Sequence, residues 1–528
     1  MHRLSIVLPA LLGAAACATP SQKRLQAAPP PARQVTVLYV ADLHAQLDPH
    51  LERFWHDGED RLEMAGGFAR VAAAIDAIRA ERKGEVLVLD AGDTFQGSAP
   101  AALTHGKAVV PALQLIGFDG AVPGNWEVAY GPEVMRARTG ETGYRWFAAN
   151  VRDEATGERV FDPWLLKEVA GVKIAVVGYT DPDVPLRQPP AYSVGLAYDG
   201  ADELPELVRK AREEEGADVV LLASHVGLAK AVALADHVPG VDVHLSGDTH
   251  ERTYEPIVKA DGSWVVEPGA FGSFLGRLDL FVRDGKVVDK RWELIELTAD
   301  RFPEKPEVRA AIDQSLAHLR DHLEKPVGTI ATSLERYDVV ETSLDTLLSD
   351  SLREATGTDI ALSNGFRFGP PVAAGTVREK HLWDFFPIVT NLKTGKVSGR
   401  QLRAFWEQEL ENVFSADPTK RFGGWLPRPS GMTLRFRANA PKGSRIIEIQ
   451  VNGEPLEDDR IYTVTACERE GDTPDMLCRM PGAQEPTVLD FDAHEAVRRY
   501  LAAHPDATAT REGRVVAVDL PRVLRTQL

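Results

Sequence analysis

The feature that most constrains this chain is a pattern repeated in its first half, where an apolar run of strand length ends in a polar cluster. The runs occupy residues 35–40, 86–89, 174–177, 219–223 and 241–245. Continuous apolar strands are typical of sheets buried on both faces. Segments with helical periodicity lie between some of the runs, at residues 68–82 and 204–215. The pattern therefore predicts an α/β domain whose functional groups gather just past the strand ends.

Length and composition exclude several classes of protein. The 528 residues, 44% hydrophobic and 26% charged, can form more than one core and exceed one ordinary domain. These proportions exclude disordered, collagen-like and disulfide-rich miniature proteins. The formal net charge of −18 repels polyanions, so we expect no nucleic-acid partner, although a local positive site could hold a small anion. No apolar run reaches the roughly 18 residues of a membrane-spanning helix.

The N-terminus has the pattern of an export signal. One Arg precedes an apolar stretch and small residues, and Cys17 follows them. We predict a signal or lipoprotein peptide at residues 1–18 and a Pro-rich tether at residues 19–34. This places the protein in the periplasm or cell envelope, lipid-anchored through Cys17 if the lipoprotein pattern is used. Ordinary cleavage after Ala18 is one alternative, and an apolar start without a targeting role is another.

Two further cysteines lie eleven positions apart, Cys467 and Cys478. In an oxidising compartment they could pair and close a short loop. The alternative is a pair of partly buried thiols. The chain contains no CxxC pair, so we do not expect cysteine to be the metal ligand type.

The repeated pattern ends near residue 298 and is followed by a second domain. A stretch rich in Pro and charge leads into a helical segment at residues 307–324, so we assign a linker and connecting helix to residues 299–326. The first domain then spans residues 35–298, and an α+β domain spans residues 327–528. In the second domain the sequence predicts helices at 343–355 and 399–413, and strands at 433–436, 446–451 and 461–466.

Polar residues with metal-binding chemistry follow successive predicted strands. They are Asp42, His44, Asp93, Asn125, His225, Asp248 and His250. Each small motif alone is weak, because Gly-Asp is commonly a turn and a single strand-end His is usually a satisfied polar residue. Their occurrence in one order, each at a strand end, predicts one site built from oxygen and nitrogen ligands.

This ligand set suits a pair of divalent cations. Two cations about 3.5–4 Å apart require a bridging anion, and Asp93 fits that role. Asp42, His44 and His250 could complete one site, and Asn125, His225 and Asp248 the other. A water bridging both metals would ionise near neutral pH and attack as metal-bound hydroxide. The positive pair would also stabilise the tetrahedral anion, so Asp93 and Asn125 are our candidate catalytic residues.

The order D-x-H, DAGD, GN(x)E, H and G-x-T-H resembles the calcineurin-like metallophosphoesterases, and more closely the two-domain 5′-nucleotidase / UDP-sugar hydrolase family. The matching segments are VTVLYVADLHAQL, VLDAGDTFQGS, SGDTHE, SNGFR and VSGRQLRAF. The resemblance implies an α/β fold with a four-layer αββα catalytic domain, then an α+β 5′-nucleotidase-type domain that binds substrate. It also implies two divalent metal ions, Mn²⁺ or Zn²⁺, and a small phosphorylated substrate such as a nucleotide.

The chain departs from the family motif GNHEFDYG, which here reads GNWEVAYG. Asn125 remains, but Trp126 stands in place of the catalytic His and Ala129 in place of its orienting Asp. Indole cannot deliver a proton at neutral pH, and losing a general acid typically costs about 10²–10⁴ in rate. The Sox-type thiosulfohydrolase branch, which acts on a sulfonated thiol of a carrier protein, also carries Trp-Glu here. A phosphate hydrolase without the dyad, a Sox-like hydrolase and a metal-binding protein without turnover therefore stay open.

Two further departures concern metal and substrate binding. Asp248 replaces a family His, which favours harder ions such as Mn²⁺ or weakens the second site, unless a shifted register uses His244. In the second domain, Arg367 matches the family's phosphate-binding Arg, with Asn364 nearby. The aromatics that clamp a base in the family are missing, and Phe386 is our candidate substitute.

Overall fold

The computed structural model describes residues 31–56, 59–363, 369–422 and 424–521. The predicted signal or lipoprotein peptide with Cys17, most of the tether, Asn364 and Arg367 lie outside the described residues. Within them, no helix combines the length and the apolar character needed to cross a membrane.

The first domain contains two six-stranded sheets. Its strands are β1 (Arg33–Val40), β2 (His50–His56), β3 (Glu59–Ala65), β4 (Val86–Asp90), β5 (Gly120–Ala121), β6 (Arg145–Trp146), β7 (Val151–Asp153), β8 (Trp164–Val169), β9 (Val172–Thr180), β10 (Leu196–Tyr198), β11 (Val219–His225), β12 (Val243–Gly247), β13 (Ile257–Val258), β14 (Trp264–Val266), β15 (Phe274–Arg283) and β16 (Lys286–Glu296). One sheet has the order β16-β15-β1-β4-β5-β6, and the other has the order β13-β14-β12-β11-β9-β8.

Helices cover the outer face of each sheet. Up to the end of the linker they are α1 (Phe68–Glu81), α2 (Ala99–Thr104), α3 (Val110–Ile116), α4 (Pro132–Glu141), α5 (Val184–Arg187), α6 (Leu204–Glu213), α7 (Leu228–Ala235), α8 (Pro306–Leu316) and α9 (Arg320–Leu323), with 3₁₀ turns at Pro190–Ser193 and Ala201–Glu203. Apolar side chains of β1, β4, β9 and β11 fill the space between the sheets. Helices α1, α3 and α8 cover one sheet, and α6 and α7 cover the other. This confirms the four-layer αββα expectation.

The predicted connecting helix divides into two pieces and belongs to the first core. The sequence predicts one helix over residues 307–324, whereas the structure has α8 and the short α9. Val308, Ile312 and Leu316 recur at helical spacing and are fully buried against α1 and α3. The segment assigned to the linker thus contributes apolar surface to the core of the first domain.

The second domain has the predicted α+β character. Its strands are β17 (Pro326–Ile330), β18 (Ile360–Ser363), β19 (Gly375–Arg378), β20 (Asn391–Ser398), β21 (Arg428–Ser430), β22 (Met432–Phe436), β23 (Ile446–Val451), β24 (Glu454–Pro455), β25 (Ile461–Cys467), β26 (Gln484–Asp492) and β27 (Val515–Ala517). Its helices are α10 (Ser343–Thr356), α11 (Glu379–Phe385), α12 (Gly399–Phe414) and α13 (Ala493–Ala503), with a 3₁₀ turn at Pro418–Lys420. A five-stranded sheet, β21-β18-β25-β20-β26, is accompanied by a four-stranded sheet, β24-β23-β22-β27.

The two late cysteines come together in this domain. The Sγ atoms of Cys467 and Cys478 lie 2.7 Å apart, and the structure carries no bond between them. The sequence separation of eleven residues thus corresponds to direct proximity, and both of the pairing alternatives remain predictions.

Candidate metal centre

The parallel strands of the two sheets bring the predicted ligands to one edge of the first domain. Asp42 follows β1 and Asp93 follows β4, and these two strands are parallel neighbours. His225 ends β11 and Asp248 follows β12, which are parallel neighbours in the other sheet. Because the carboxyl ends of parallel strands share an edge, residues far apart in sequence converge there.

The structure gathers all seven predicted ligands in one buried pocket. Each of them is at most 9% exposed. The Nε2 atoms of His44 and His250 lie 3.0 Å apart, and His225 Nε2 lies 3.2 Å from Asp93 Oδ2. Asp42 Oδ1 lies 3.5 Å from His250 Nε2. Such dense packing of nitrogen and oxygen acceptors is typical of a cation site.

Five of the seven predicted ligands form two donor groups that share one carboxylate. The first donor group is Asp42, His44 and His250, and the second donor group is Asp42, Asp93 and His225; within each, the ligand atoms lie within 4.8 Å of one another. The sequence favours Asp93 as the bridge, whereas Asp42 is common to both groups. Asp93 Oδ2 is also 3.8 Å from His44 Nε2, so both carboxylates lie between the two groups.

Two of the three imidazoles, those of His44 and His225, are oriented as metal ligands require. His44 Nδ1 lies 3.0 Å from the Gln96 carbonyl oxygen, and His225 Nδ1 lies 2.6 Å from that of Ala91. A backbone acceptor fixes the proton on Nδ1 and leaves the Nε2 lone pair facing the pocket. The donor chemistry therefore fits divalent cations such as Mn²⁺ or Zn²⁺.

Electrostatics in the pocket also favour a cation. Burial lowers the pKa of His44 to about 4, although the Asp93 carboxylate opposes this. Burial raises the pKa of Asp42 well above its usual value; His225 opposes this, and the carboxylates of Asp93 and Asp248 add to it. Burial lowers the pKa of His225, but Asp93 and Asp42 outweigh it and raise that pKa well above its ordinary value. Uncompensated carboxylates are costly in such a site, and a bound cation would relieve the repulsion.

The backbone at the ligands is strained. Asp42, His44, Asp93, Asp248 and His250 all have positive φ, between 46° and 93°. Non-glycine residues avoid this region, so its use at five ligands indicates that the surrounding structure enforces their geometry. Hydrogen bonds between loops enforce part of this geometry. Asp42 N donates to the Gly92 oxygen and His44 N donates to the Asp93 oxygen, both at 2.8 Å.

Glu127 organises the loops beside the ligands, and sequence reasoning missed it. Its buried carboxylate accepts backbone N–H groups of Gly124, Asp93, Thr94 and Phe95, at 2.5–3.3 Å. Burial raises its pKa to about 7, with a contribution from Asp93, while the Thr94 hydrogen bond opposes the rise. The Glu of the GNWE segment was the available signal.

Trp126 and Ala129 lie beside the first donor group. Trp126 is 7% exposed, and its ring meets that of His44 edge-on with centroids 5.7 Å apart. Its backbone N donates to Asp93 Oδ1 at 2.8 Å. Ala129 N donates to the Trp126 oxygen at 3.0 Å, so both positions belong to one turn.

Asp248 has a partner that sequence reasoning missed. Its Oδ1 accepts from Arg187 Nη2 at 2.6 Å and lies 3.9 Å from His225 Nε2. The polar cluster after β9 was the sequence signal that pointed to the segment carrying Arg187. The shifted register through His244 is wrong, because His244 lies within β12 opposite Leu222 and Val265.

The second domain reaches the metal centre through Gln96. The Gln96 side chain donates to the Pro387 carbonyl oxygen at 2.8 Å. The backbone carbonyl oxygen of Gln96 faces His44. Phe386, the residue before Pro387, is 5% exposed and packs within the second domain's core near His494. Its role in substrate binding remains a prediction, as do those of Asn364 and Arg367.

Comparisons with known proteins match both domains. A family profile described as calcineurin-like phosphoesterase matches residues 35–252, and one described as 5′-nucleotidase, C-terminal domain, matches residues 323–468. Protein UshA of Escherichia coli is 22% identical over 88% of this chain and 90% of its own. The trifunctional nucleotide phosphoesterase YfkN of Bacillus subtilis is 25% identical over 92% of this chain, which spans only 35% of the Bacillus protein.

Solved structures show the same two-domain architecture. The sulfate thiohydrolase SoxB of Thermus thermophilus superposes with a TM-score of 0.84 at 26% identity, covering 94% of this chain and 99% of SoxB. A 5′-nucleotidase precursor of Thermus thermophilus superposes with a TM-score of 0.81 at 23% identity, covering 93% and 100%. The likeness extends over both domains.

Proposed function

The chain belongs to the calcineurin-like phosphoesterases that carry a 5′-nucleotidase C-terminal domain, a class of metal-dependent hydrolases, and from that membership we propose that it is an exported two-metal hydrolase of phosphate esters or anhydrides. The observation that supports the proposal is the convergence of seven buried candidate ligands, five of which form two donor groups that share the Asp42 carboxylate. A site of this composition suits phosphoryl chemistry, in which charge develops on equatorial oxygens.

The chain's own residues divide the work. When bound, two divalent cations supply an activated water and a positive site for phosphoryl oxygens. Asp42, His44 and His250 would hold the first cation, and Asp93, His225 and Asp42 would hold the second. Asn125 and Asp248 flank the second donor group, and Glu127 holds the loops that carry Asp93 and Asn125 in register.

Trp126 restricts which substrates turn over well. Its indole covers the first donor group but cannot protonate a departing oxygen. A leaving group that is stable as an anion, such as a phosphate in an anhydride or an activated aryl oxide, avoids this requirement. Since two relatives are named 5′-nucleotidase and nucleotide phosphoesterase, we propose a small phosphorylated substrate, such as a nucleotide anhydride.

The experiment compares substrates with different leaving groups, using the purified full chain supplied with Mn²⁺ or Zn²⁺. AMP, UDP-glucose and 4-nitrophenyl phosphate are supplied, and D93N is the inactive control. We expect turnover of the anhydride and the aryl ester, with AMP slower by about 10²-fold or more. AMP turnover as fast as that of the aryl ester would contradict the role given to Trp126. Absence of any turnover, with metal retained, would favour a binding protein.

A Sox-like hydrolase is the second candidate. It is favoured by the Trp126-Glu127 pair and by the 26% identity to SoxB over nearly the whole chain. Its partner would be a carrier protein with a sulfonated thiol. Release of sulfate from a peptide carrying a cysteine S-thiosulfonate, abolished by D93N, would support this candidate over the first.

We also propose that residues 1–18 direct export to the periplasm or cell envelope. The mass of the mature N-terminus separates the alternatives. Diacylglycerol on Cys17 indicates a lipid anchor, a start at residue 19 indicates ordinary cleavage, and an intact Met1 in the cytoplasmic fraction contradicts export.

A further inference from the structure

Two separate parts of the second domain bring Cys467 and Cys478 together. Cys467 ends β25, where it pairs with Leu392 of β20. Cys478 lies in a tight turn, in which the backbone N–H groups of Leu477 and Met480 each donate to the other's carbonyl oxygen. The two Sγ atoms lie 2.7 Å apart, and both side chains are only half-buried, so a small oxidant can reach them.

The turn that carries Cys478 is anchored on a helix. Arg479 donates to both carboxylate oxygens of Glu409 in α12, at 3.1 and 2.6 Å, and the Glu409 side chain is buried. Cys478 itself has a φ of 49°, which non-glycine residues adopt only when surrounding contacts enforce it. Tertiary contacts, rather than the short loop between the cysteines, therefore make the two sulfurs face each other.

The two thiols differ in reactivity. The contact with Cys467 lowers the pKa of the Cys478 thiol below its ordinary value, and the positive charge of Arg479 adds to this, while burial opposes it. The same contact, together with burial, raises the pKa of the Cys467 thiol well above its ordinary value. Because the thiolate is the nucleophile in disulfide exchange, Cys478 is the thiol that reacts first with an oxidant.

The loop between the cysteines carries a contact with the first domain. Arg469 Nη2 donates to the Gln188 carbonyl oxygen at 2.7 Å and to that of Leu186 at 3.3 Å. A Cβ on Gly471 would lie 3.2 Å from the Pro190 Cβ, so the loop backbone also packs against this segment. The start of the loop therefore holds residues 186–190 from across the domain boundary.

The segment that the loop holds contacts a predicted metal ligand. Arg187 lies between the two bound carbonyls, and its Nη2 donates to Asp248 Oδ1 at 2.6 Å. Its Nη1 donates to Asp181, and both carboxylates are buried. An unbroken series of contacts therefore joins the cysteine loop to Asp248.

We propose that Cys467 and Cys478 are a redox modification site whose disulfide tightens the hold of Arg469 on the segment around Arg187. The Cys478 thiolate attacks a small disulfide such as oxidised glutathione, breaks its S–S bond and releases one glutathione. Cys467 then attacks Cys478 Sγ in the mixed disulfide and releases the second glutathione. The oxidant is thereby reduced to two thiols, which take up the two cysteine protons. The closed ring restricts the loop, so Arg469 leaves its partners less often.

The first test is peptide mapping of the full chain after equilibration with reduced and oxidised glutathione. Trypsin separates the two cysteines, so the disulfide is detected as a link between peptides 461–469 and 470–479, distinct from any reaction at Cys17. We expect this link in the wild type. C467S should retain glutathione on Cys478, whereas C478S should react at Cys467 about tenfold more slowly. Absence of the link in the wild type, or faster reaction at Cys467, would overturn the proposal.

The second test is hydrogen exchange in the peptide spanning residues 182–192, compared between the oxidised and reduced forms. Oxidation should slow exchange there by about threefold or more. R469Q removes the contact with this segment, so it should still form the disulfide but lose the difference. R435Q is the matched control, because Arg435 is exposed on β22 beside Glu448, and it should keep the difference. Equal exchange in the two wild-type forms, or a difference that survives in R469Q, would contradict the proposal.

Discussion

At the scale of single residues, function depends on a few buried polar atoms whose geometry the protein enforces. Asp42 and Asp93 lie between the two donor groups, and Glu127 receives four backbone N–H groups from the loops around them. Trp126 lies edge-on to His44, and its indole cannot deliver a proton at neutral pH. Its backbone N–H donates to Asp93 Oδ1 at 2.8 Å.

Restoring a proton donor should broaden the substrate range. In the double variant W126H/A129D, the two side chains belong to one turn and can form a hydrogen-bonded pair beside the pocket. Because a positioned general acid typically contributes about 10²–10⁴ in rate, we expect AMP hydrolysis to rise by about 10²-fold. Steady-state kcat/KM for AMP is the measurement.

The same variant should leave turnover of 4-nitrophenyl phosphate within a few-fold, because that leaving group needs no proton. W126H alone is the matched control and should gain less, since nothing would orient its imidazole. An unchanged AMP rate in the folded double variant would count against hydrolysis of phosphate monoesters by this site.

At the scale of elements, the site depends on how closely two loops approach. The loops after β4 and β5 meet because these strands are parallel neighbours. A Cβ on Gly124 would lie 2.2 Å from Asp93 Oδ1, and one on Gly92 would lie 2.5 Å from Gly124 N. Only glycine allows this contact, which brings Asn125 next to Asp93.

G124A should therefore damage the metal centre. The added methyl group pushes Asp93 out of the second donor group, and we expect a loss of at least about 2 kcal/mol in stability and of the ability to retain metal. Urea unfolding and metal analysis after desalting are the measurements.

G140A is the matched control, because Gly140 lies in α4 with nothing near its Cβ position. It should retain metal and gain about 0.5–1 kcal/mol. Retention of metal by G124A at the wild-type level would show that the close approach is not required.

At the scale of the whole molecule, the two domains meet beside the metal centre. Gln46 Nε2 donates to Asp384 Oδ1 at 3.1 Å, and Gln96 Nε2 donates to the Pro387 carbonyl at 2.8 Å. Gln46 lies near His44 in sequence, and Gln96 lies near it in space. The contacts across the domain boundary are therefore linked to the geometry of the predicted ligand His44. Arg469 makes a comparable link to the segment that carries Arg187.

Asp384 should make this boundary sensitive to pH. Burial raises its pKa to about 7, although the Gln46 hydrogen bond and Lys380 oppose the rise. The pKa of Asp384 in the folded state lies above its unfolded value near 4. The protonated carboxyl therefore contributes its full stabilisation of the fold below about pH 4, and this stabilisation is lost as pH rises to about 7. D384N stays neutral, so its Tm should equal the wild-type Tm at pH 4 and exceed it at pH 8.

The measurement is the difference in Tm between wild type and variant from pH 4 to pH 8. D459N is the matched control, because the Asp459 side chain is 94% exposed, and it should show a flat difference. A Tm difference between D384N and wild type that stays constant across this pH range would rule out Asp384 as the source of the pH dependence.

The sequence alone determined the parts of this protein that local chemistry encodes. Continuous apolar runs specified strands, and β1, β4, β9, β11 and β12 each form at the run that predicted them. The seven predicted ligands followed from short motifs at strand ends, because a parallel sheet collects its carboxyl ends at one edge. The apolar runs and the helical segments between them predicted an α/β domain, whereas the four layers were an implication of the family resemblance.

Only the tertiary structure decided which groups are neighbours across the fold. Asp42 as the carboxylate common to both donor groups, Arg187 on Asp248 and α8 in the first core all depend on distances that sequence spacing does not contain. The physical reason is that hydrogen bonds and ion pairs act over about 3 Å. Which partner lies within that range is fixed only when the sheets, helices and second domain have packed together.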